Sequence, residues 1–233
     1  MNPLLVTTGL VAFHGDLQAL FGIDFEIRTG EVVAIIGANG AGKSTFLSAV
    51  CGLLPVAPTQ VMLDGEPIGG LPAHRIAARG LAMVPEGRRL FASLTVEENL
   101  LAGRHLARAG PWGLPRVYEL FPALREKRHV FPEALSGGQQ QMAAIGRALM
   151  SNPRLLICDE VSLGLAPVVV KGLYESVADV VRDGLAVIVV EQDVSLAQRL
   201  SSSLYCFQEG RVSLSGPSPS LTRAQISRAY FGL

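Results

Sequence analysis

The stretch from Val32 to Val50 constrains the fold more than any other. It reads VVAII, then GANGAGKST, then FLSAV: an apolar β-type run, a glycine-rich loop and a helix-type run. Residues 37–45 fit G-x-x-x-x-G-K-[ST], in the strand–loop–helix setting that marks a phosphate-binding loop. Gly37, Gly40 and Gly42 let the backbone wrap closely and aim successive N–H groups at phosphate oxygens. A helix opening near Gly42 adds a partial positive charge of about half a unit. Lys43 is placed to reach the β- and γ-phosphates, and the Ser44 hydroxyl to ligate Mg²⁺. Asn39, Ala41 and Thr45 complete the predicted cradle. Only three of the twenty basic residues are lysine (Lys43, Lys127 and Lys171), so the setting of Lys43 is informative.

A second chemical feature lies downstream. LLICDE (155–160) is an apolar strand ending in two carboxylates. Next to a phosphate loop, Asp159 is assigned to Mg²⁺. Glu160 is assigned to polarising an attacking water as general base.

The rest of the chain supplies a frame for these motifs. Residues 5–13, 25–27 and 82–84 read as strands, and 61–68 as a hairpin turning at Asp64-Gly65. Between residues 86 and 150 the pattern becomes helical. Thr95 and Glu98 form a capping box, a Gly/Pro-rich loop spans 110–115, and 117–124 and 139–150 read as helices. Residues 154–215 return to alternation. The continuous apolar runs LLIC and AVIVV (186–190) suit parallel strands buried on both faces. The helix between them starts near Pro167, ends before Gly184 and carries an apolar stripe at 170, 173, 174, 177 and 181. A terminal hairpin (204–215), a loop (215–220) and a closing helix (221–233) follow. The expected class is α/β: a mostly parallel sheet with helices on both faces.

Composition narrows the alternatives. At 233 residues the chain suits one large domain with a subdomain, and 49% hydrophobic against 17% charged residues excludes a disordered chain. No apolar run approaches the roughly 20 residues of a membrane span. No basic residue precedes Arg28, so a secretory signal is not expected and the reading is cytoplasmic. Twenty basic and twenty acidic residues cancel, which argues against a nucleic-acid partner. Cys51, Cys158 and Cys206 fit no zinc spacing and read as small buried hydrophobes.

Residues 135–141 read LSGGQQQ at the start of a helix, a second anion-type turn. With GANGAGKST upstream and LLICDE downstream, this ordered set resembles the ATP-binding subunits of ABC transporters over nearly the whole chain. The resemblance implies a single ABC ATP-binding domain with a RecA-like P-loop NTPase core. Residues 1–85 and 151–233 would form that core with an antiparallel β-subdomain, and 86–150 a helical subdomain. It implies ATP and Mg²⁺ as ligands and a composite site. Ser136, Gly137, Gly138 and Gln139 would serve ATP held by a second ATPase chain, in a heterodimer or a homodimer. Two transmembrane permeases and, indirectly, a substrate-binding receptor would complete the assembly. The chain would sit peripherally on the inner face of the membrane.

Several positions depart from the general pattern of that family. Glu86 stands in VPEGRRLF (84–91) where Gln is usual, next to Mg²⁺ and the attacking water; it would favour metal and repel γ-phosphate. Gln192, in VEQDV (190–194), takes the place of the switch histidine; it can donate to γ-phosphate but cannot carry a proton's charge. Weaker transition-state stabilisation is therefore expected at this chain's own site. Ala166 replaces Asp, Val161 replaces Pro, and His14 takes the place of the aromatic that stacks on adenine. Arg88 and Arg89 read either as solvated cations or as contacts to a membrane partner. VPEGRRLF, TVEENL, LSGGQQQM, SLGLAP, VEQD and SRAYFGL together are similar to the LivF-type ATPases of branched-chain amino acid importers, where Glu and Gln at these two positions are typical. The resemblance implies an importer ATPase for branched-chain or other hydrophobic amino acids. Urea or amide importers, an iron–sulfur assembly ATPase and a regulatory subunit that barely hydrolyses ATP remain as other readings.

Overall fold

Two sheets organise the chain, and the strand VVAII lies in the middle of the larger one. The computed structural model describes residues 2–106 and 108–232, with only the backbone of Leu106. In chain order the strands and helices are β1 (Leu5–His14), β2 (Leu17–Ile27), β3 (Val32–Ile36), α1 (Lys43–Val50), β4 (Val61–Leu63), β5 (Glu66–Pro67), α2 (Ala73–Ala78) and β6 (Leu81–Val84). The helices α3 (Val96–Ala102), α4 (Leu114–Leu120), α5 (Pro122–Glu126) and α6 (Gly137–Leu149) follow. The chain closes with β7 (Leu155–Asp159), α7 (Pro167–Arg182), β8 (Ala186–Val190), α8 (Val194–Leu200), β9 (Ser203–Gln208), β10 (Arg211–Pro217) and α9 (Arg223–Phe231).

The larger sheet runs β10-β9-β3-β8-β7-β6. It is parallel throughout except at β10, which pairs antiparallel with β9. The apolar runs are continuous because both faces are covered. Alternate residues divide between two cores. Ala34, Ile36, Leu156, Cys158, Val187 and Val189 pack under the helical side. Val33, Ile35, Leu155, Ile157, Ile188 and Val190 pack toward α1 and the second sheet. That second sheet, β2-β1-β4-β5, is antiparallel. The expected α/β class and parallel sheet are both present.

Some local expectations need correction. The strand expected at 25–27 begins at Leu17 and pairs with β1 from Leu5↔Ile27 to His14↔Leu17, with three register irregularities. The helix expected over 117–124 is two helices, broken at Phe121 before Pro122. Proline disfavours a helical conformation in the residue before it, and Phe121 has φ −129° and ψ 75°. Helices α2 and α8 lie in segments for which no element was expected.

Phe46, on α1, joins the phosphate loop to the core between the two sheets. It is fully buried, with ring centroids 5.1 Å from Phe25 and 5.3 Å from Phe207. Phe46→Ala is expected to cost about 4 kcal/mol, or roughly 10 °C in melting midpoint. Thermal unfolding of the isolated chain checks this, and a shift below 2–3 °C would show that the cavity collapses around the missing ring.

Candidate functional site

The site forms where β3, β7 and β8 end side by side. Their parallel register brings three loops together: 37–42 after β3, 160–166 after β7 and 191–193 after β8. A cleft of about 400 Å³ opens there, lined by Asn39, Gly40, Gly42, Lys43, Ser44, Thr45, Glu86, Glu160, Leu163 and Gln192.

Two glycines of the loop have steric reasons. A Cβ on Gly37 would lie 2.4 Å from the Phe207 carbonyl oxygen. Gly42 caps α1 with φ +101°, in the left-handed region, and a Cβ there would crowd Gly210. Ala41 is buried, and its carbonyl accepts from Gly210 N–H. Lys43 is 5% exposed; its Nζ donates to the carbonyls of Gly37 (2.7 Å) and Ala38 (3.1 Å). The cation is thus folded back onto the carbonyl oxygens of its own loop. Ser44 is exposed at the first turn of α1. His14 lies at the edge, its Nε2 3.2 Å from Thr45 Oγ1.

The carboxylates gather opposite. Glu160 adopts a left-handed conformation, φ +48°, which costs a non-glycine residue about 1 kcal/mol or more. Gln192 Nε2 donates to Glu160 Oε2 at 2.7 Å, and Lys43 Nζ lies 3.9 Å from Glu160 Oε1. Gln192, expected to face phosphate, therefore holds the carboxylate of the acidic pair. Burial, then the charges of Glu160 and Glu86, push Asp159 from the ordinary carboxylate range up to about 6, against the pull of Lys43.

That crowding bears on Mg²⁺. Among the described residues no cluster of three or more His, Cys, Asp or Glu forms a closed cage. Mg²⁺ is ordinarily held by one or two carboxylates with substrate phosphates, not by an all-protein cage. A carboxylate part-buried beside two others is relieved by a dication, so Asp159, with Ser44 and Glu86 nearby, would fit the ion. Because its pKa is raised, between about pH 4 and 6 Asp159 keeps a proton in the folded chain that the unfolded chain has released. Its contribution to stability is present below the ordinary value near 4 and lost as pH rises through about 6. Metal binding must expel that proton. Mg²⁺-dependent ATP affinity is therefore expected to fall about tenfold per pH unit below 6, while metal-free ATP binding changes less. Titration calorimetry between pH 5 and 7.5 checks this; equal pH dependence with and without Mg²⁺ would contradict it.

The signature residues stand apart from the cleft. Ser136 caps α6, accepting from Gln139 N–H, while Gln139 Oε1 accepts from Ser136 N–H. Gly138 packs on α7, where a Cβ would lie 2.5 Å from Val169 Cγ1. None of Ser136, Gly137, Gly138 and Gln139 lines the cleft that holds Lys43.

The segment after Glu86 is tied to the same helix, a feature the sequence reading missed. Gly87, Arg88 and Arg89 are all left-handed. Arg88 is half-buried and donates to Gln140 Oε1 at 2.7 Å, while Arg147 donates to the carbonyls of Arg88 and Arg89. Arg88 is thus an internal brace between the Glu86 segment and α6. The free thiols Cys51 and Cys158 are buried, and burial pushes both up to about 12, so they are inert packing groups.

Comparison with known proteins agrees with this geometry. A family model described as an ABC transporter matches residues 20–162. The high-affinity branched-chain amino acid transport ATP-binding protein BraG of Pseudomonas aeruginosa is 42% identical over 223 residues, covering 94% of this chain and 96% of that protein. The probable branched-chain amino acid transport ATP-binding protein LivF of Archaeoglobus fulgidus is 33% identical over 216 residues, covering 91% and 92%. Among solved structures, an ATP-binding subunit of an ABC transporter is 29% identical with TM-score 0.79, covering 99% of this chain and 94% of that one. A nucleotide-free ATP-binding cassette from an ABC transporter, 24% identical with TM-score 0.84 over 98% and 95%, shares the fold.

Proposed function

This chain belongs to the ABC transporter family, and from that premise we propose that it powers the import of branched-chain or other hydrophobic amino acids by binding and hydrolysing ATP. The observation that carries the substrate class is the 42% identity with the Pseudomonas aeruginosa branched-chain transport protein over nearly the full length of both chains. The motifs carry the chemistry.

In this reading the loop amides from Gly37 to Thr45 cradle the ATP phosphates, and the Lys43 ammonium neutralises their outer charge. Asn39, Gly40, Ala41 and Gly42 shape that cradle, and His14 borders it. Ser44 and Asp159 would hold Mg²⁺ with Glu86 beside them; the ion, when bound, shields the charge of the β- and γ-phosphates. Glu160 takes the proton of the attacking water. Gln192 orients that carboxylate, as its 2.7 Å bond to Glu160 suggests.

Ser136, Gly137, Gly138 and Gln139 cap ATP bound to a second ATPase subunit, so each site is completed by two chains. Residues 86–150 act as the helical subdomain that presents them, and residues 1–85 and 151–233 as the core with its β-subdomain. No helix among the described residues is long and apolar enough to cross a membrane. We place the chain peripherally at the inner membrane face, against two permeases, with a receptor delivering substrate.

The test is reconstitution with two permeases, a companion ATPase and a receptor of the same importer type. ATP-driven uptake of leucine, isoleucine or valine is the expected result. Uptake of urea or an amide instead would move the substrate class, and purification with soluble partners only would overturn the importer reading.

A further inference from the structure

Glu191 is the residue beside the site that the proposed chemistry leaves unused. It follows β8, directly before Gln192, and is 2% exposed. Its carboxylate has no cationic partner among the described residues. Each oxygen instead accepts from a hydroxyl. Ser162 Oγ donates to Oε2 at 2.5 Å, and Tyr174 OH donates to Oε1. Tyr174 is itself buried on α7. The backbone N–H of Glu191 donates to the Ile35 carbonyl of β3, at the root of the phosphate loop.

Burying an unpaired carboxylate is costly unless its hydrogen bonds are satisfied. A leucine would fill the same space without that cost. What the carboxylate adds is two simultaneous acceptors, one for each of two separate segments. Ser162 is two residues past Glu160 and one before Leu163, which lines the cleft. The turn that includes it closes by Leu163 N–H to Glu160 carbonyl at 3.2 Å and Leu165 N–H to Ser162 carbonyl at 3.2 Å. That turn holds Glu160 in its left-handed conformation, which persists only where the surroundings over-determine it.

We infer that Glu191 is a positioning residue: through Ser162 and Tyr174 it locks the turn after β7 to the turn after β8 and to α7, and so fixes Glu160 against Gln192. The inference rests on the proposed role of Glu160 as base. It also links the cleft to α7, whose Val169 lies against Gly138, so one helix touches both the signature end of α6 and the residue that holds the turn of the base.

The experiment uses the assembled transporter with Ser162→Ala, Glu191→Ala, Glu191→Gln and Glu160→Gln in this chain, reading kcat, KM for ATP and melting midpoint. Ser162→Ala removes one half-buried hydroxyl and should fold normally. It is expected to lower kcat about tenfold, the loss of one charge-assisted hydrogen bond, at unchanged KM. Glu191→Ala should lose at least as much, and adding Ser162→Ala to it should cost nothing more. Glu191→Gln keeps one acceptor oxygen and can donate its amide N–H to the other hydroxyl oxygen, so it should recover part of the rate that Glu191→Ala loses. If Ser162→Ala and Glu191→Ala both leave kcat within twofold while Glu160→Gln abolishes it, the positioning role is wrong and the base stands. Parallel loss of kcat, ATP affinity and melting midpoint in Ser162→Ala, unrescued in Glu191→Gln, would reduce Glu191 to a packing residue. Full turnover in Glu160→Gln would instead overturn the base assignment beneath both.

Discussion

Replacing Glu160 with Gln in the assembled transporter lowers ATP turnover by about 10²–10³-fold while ATP still binds. The amide keeps the shape of the carboxylate and can remain beside Gln192, so the left-handed turn need not move. It cannot accept a proton from water at neutral pH. Ground-state binding should hold or tighten, because one negative charge leaves a cleft already crowded by Asp159 and Glu86. The same removal should draw Asp159 back toward the ordinary carboxylate range, since Glu160 is one cause of its elevation. Steady-state hydrolysis and equilibrium ATP binding on one preparation separate the two effects. Turnover within a few-fold of the parent chain would show that the proton goes elsewhere, and this chain would then fit a regulatory subunit.

The second large effect is on binding. Lys43→Met keeps most of the buried stem and removes the ammonium. ATP affinity is expected to fall about 100-fold, as the charge-assisted contact proposed between the ammonium and the phosphates is lost. The change also leaves the Gly37 and Ala38 carbonyls without the donor they now share. The phosphate loop should therefore loosen even without nucleotide, and the melting midpoint should fall modestly. Fluorescent-nucleotide titration with thermal unfolding reads both. Unchanged ATP affinity in a folded Lys43→Met chain would mean that the loop amides alone carry the phosphates.

The main elements were legible because their signals are local. VVAII, LLIC and AVIVV are short runs apolar at every position, as strands covered on both sides are. Thr95 and Glu98 form the capping box that their spacing announces. Asp64 and Gly65 are both left-handed, as a tight hairpin turn requires. The phosphate loop, the acidic pair and the signature are contiguous motifs, so their residues could be named before their geometry was known.

What escaped was short, irregular or non-local. Helix α8 spans seven residues, although Asp193 capping through Leu196 N–H is a signal that could have found it. The first half of β2 alternates poorly because register shifts and Gly22 interrupt it. Pro122 marks the break between α4 and α5, yet the apolar spacing across it still reads as one helix. Ser162, Tyr174 and Glu191 meet only because β7 and β8 are neighbours, and no local pattern joins residues that far apart. Arg88 read as a solvated cation or a contact to a membrane partner, since nothing in RR signals a bond to Gln140, 52 positions away.

In the proposed function, ATP hydrolysis by this chain drives amino acid import. The most direct measurement reads ATP hydrolysis and leucine uptake together in proteoliposomes carrying the full assembly and its receptor, with and without Glu160→Gln in this chain. The expected result is that hydrolysis and uptake fall together, by about 10²-fold or more. Uptake that persists while hydrolysis at this chain is abolished would contradict it.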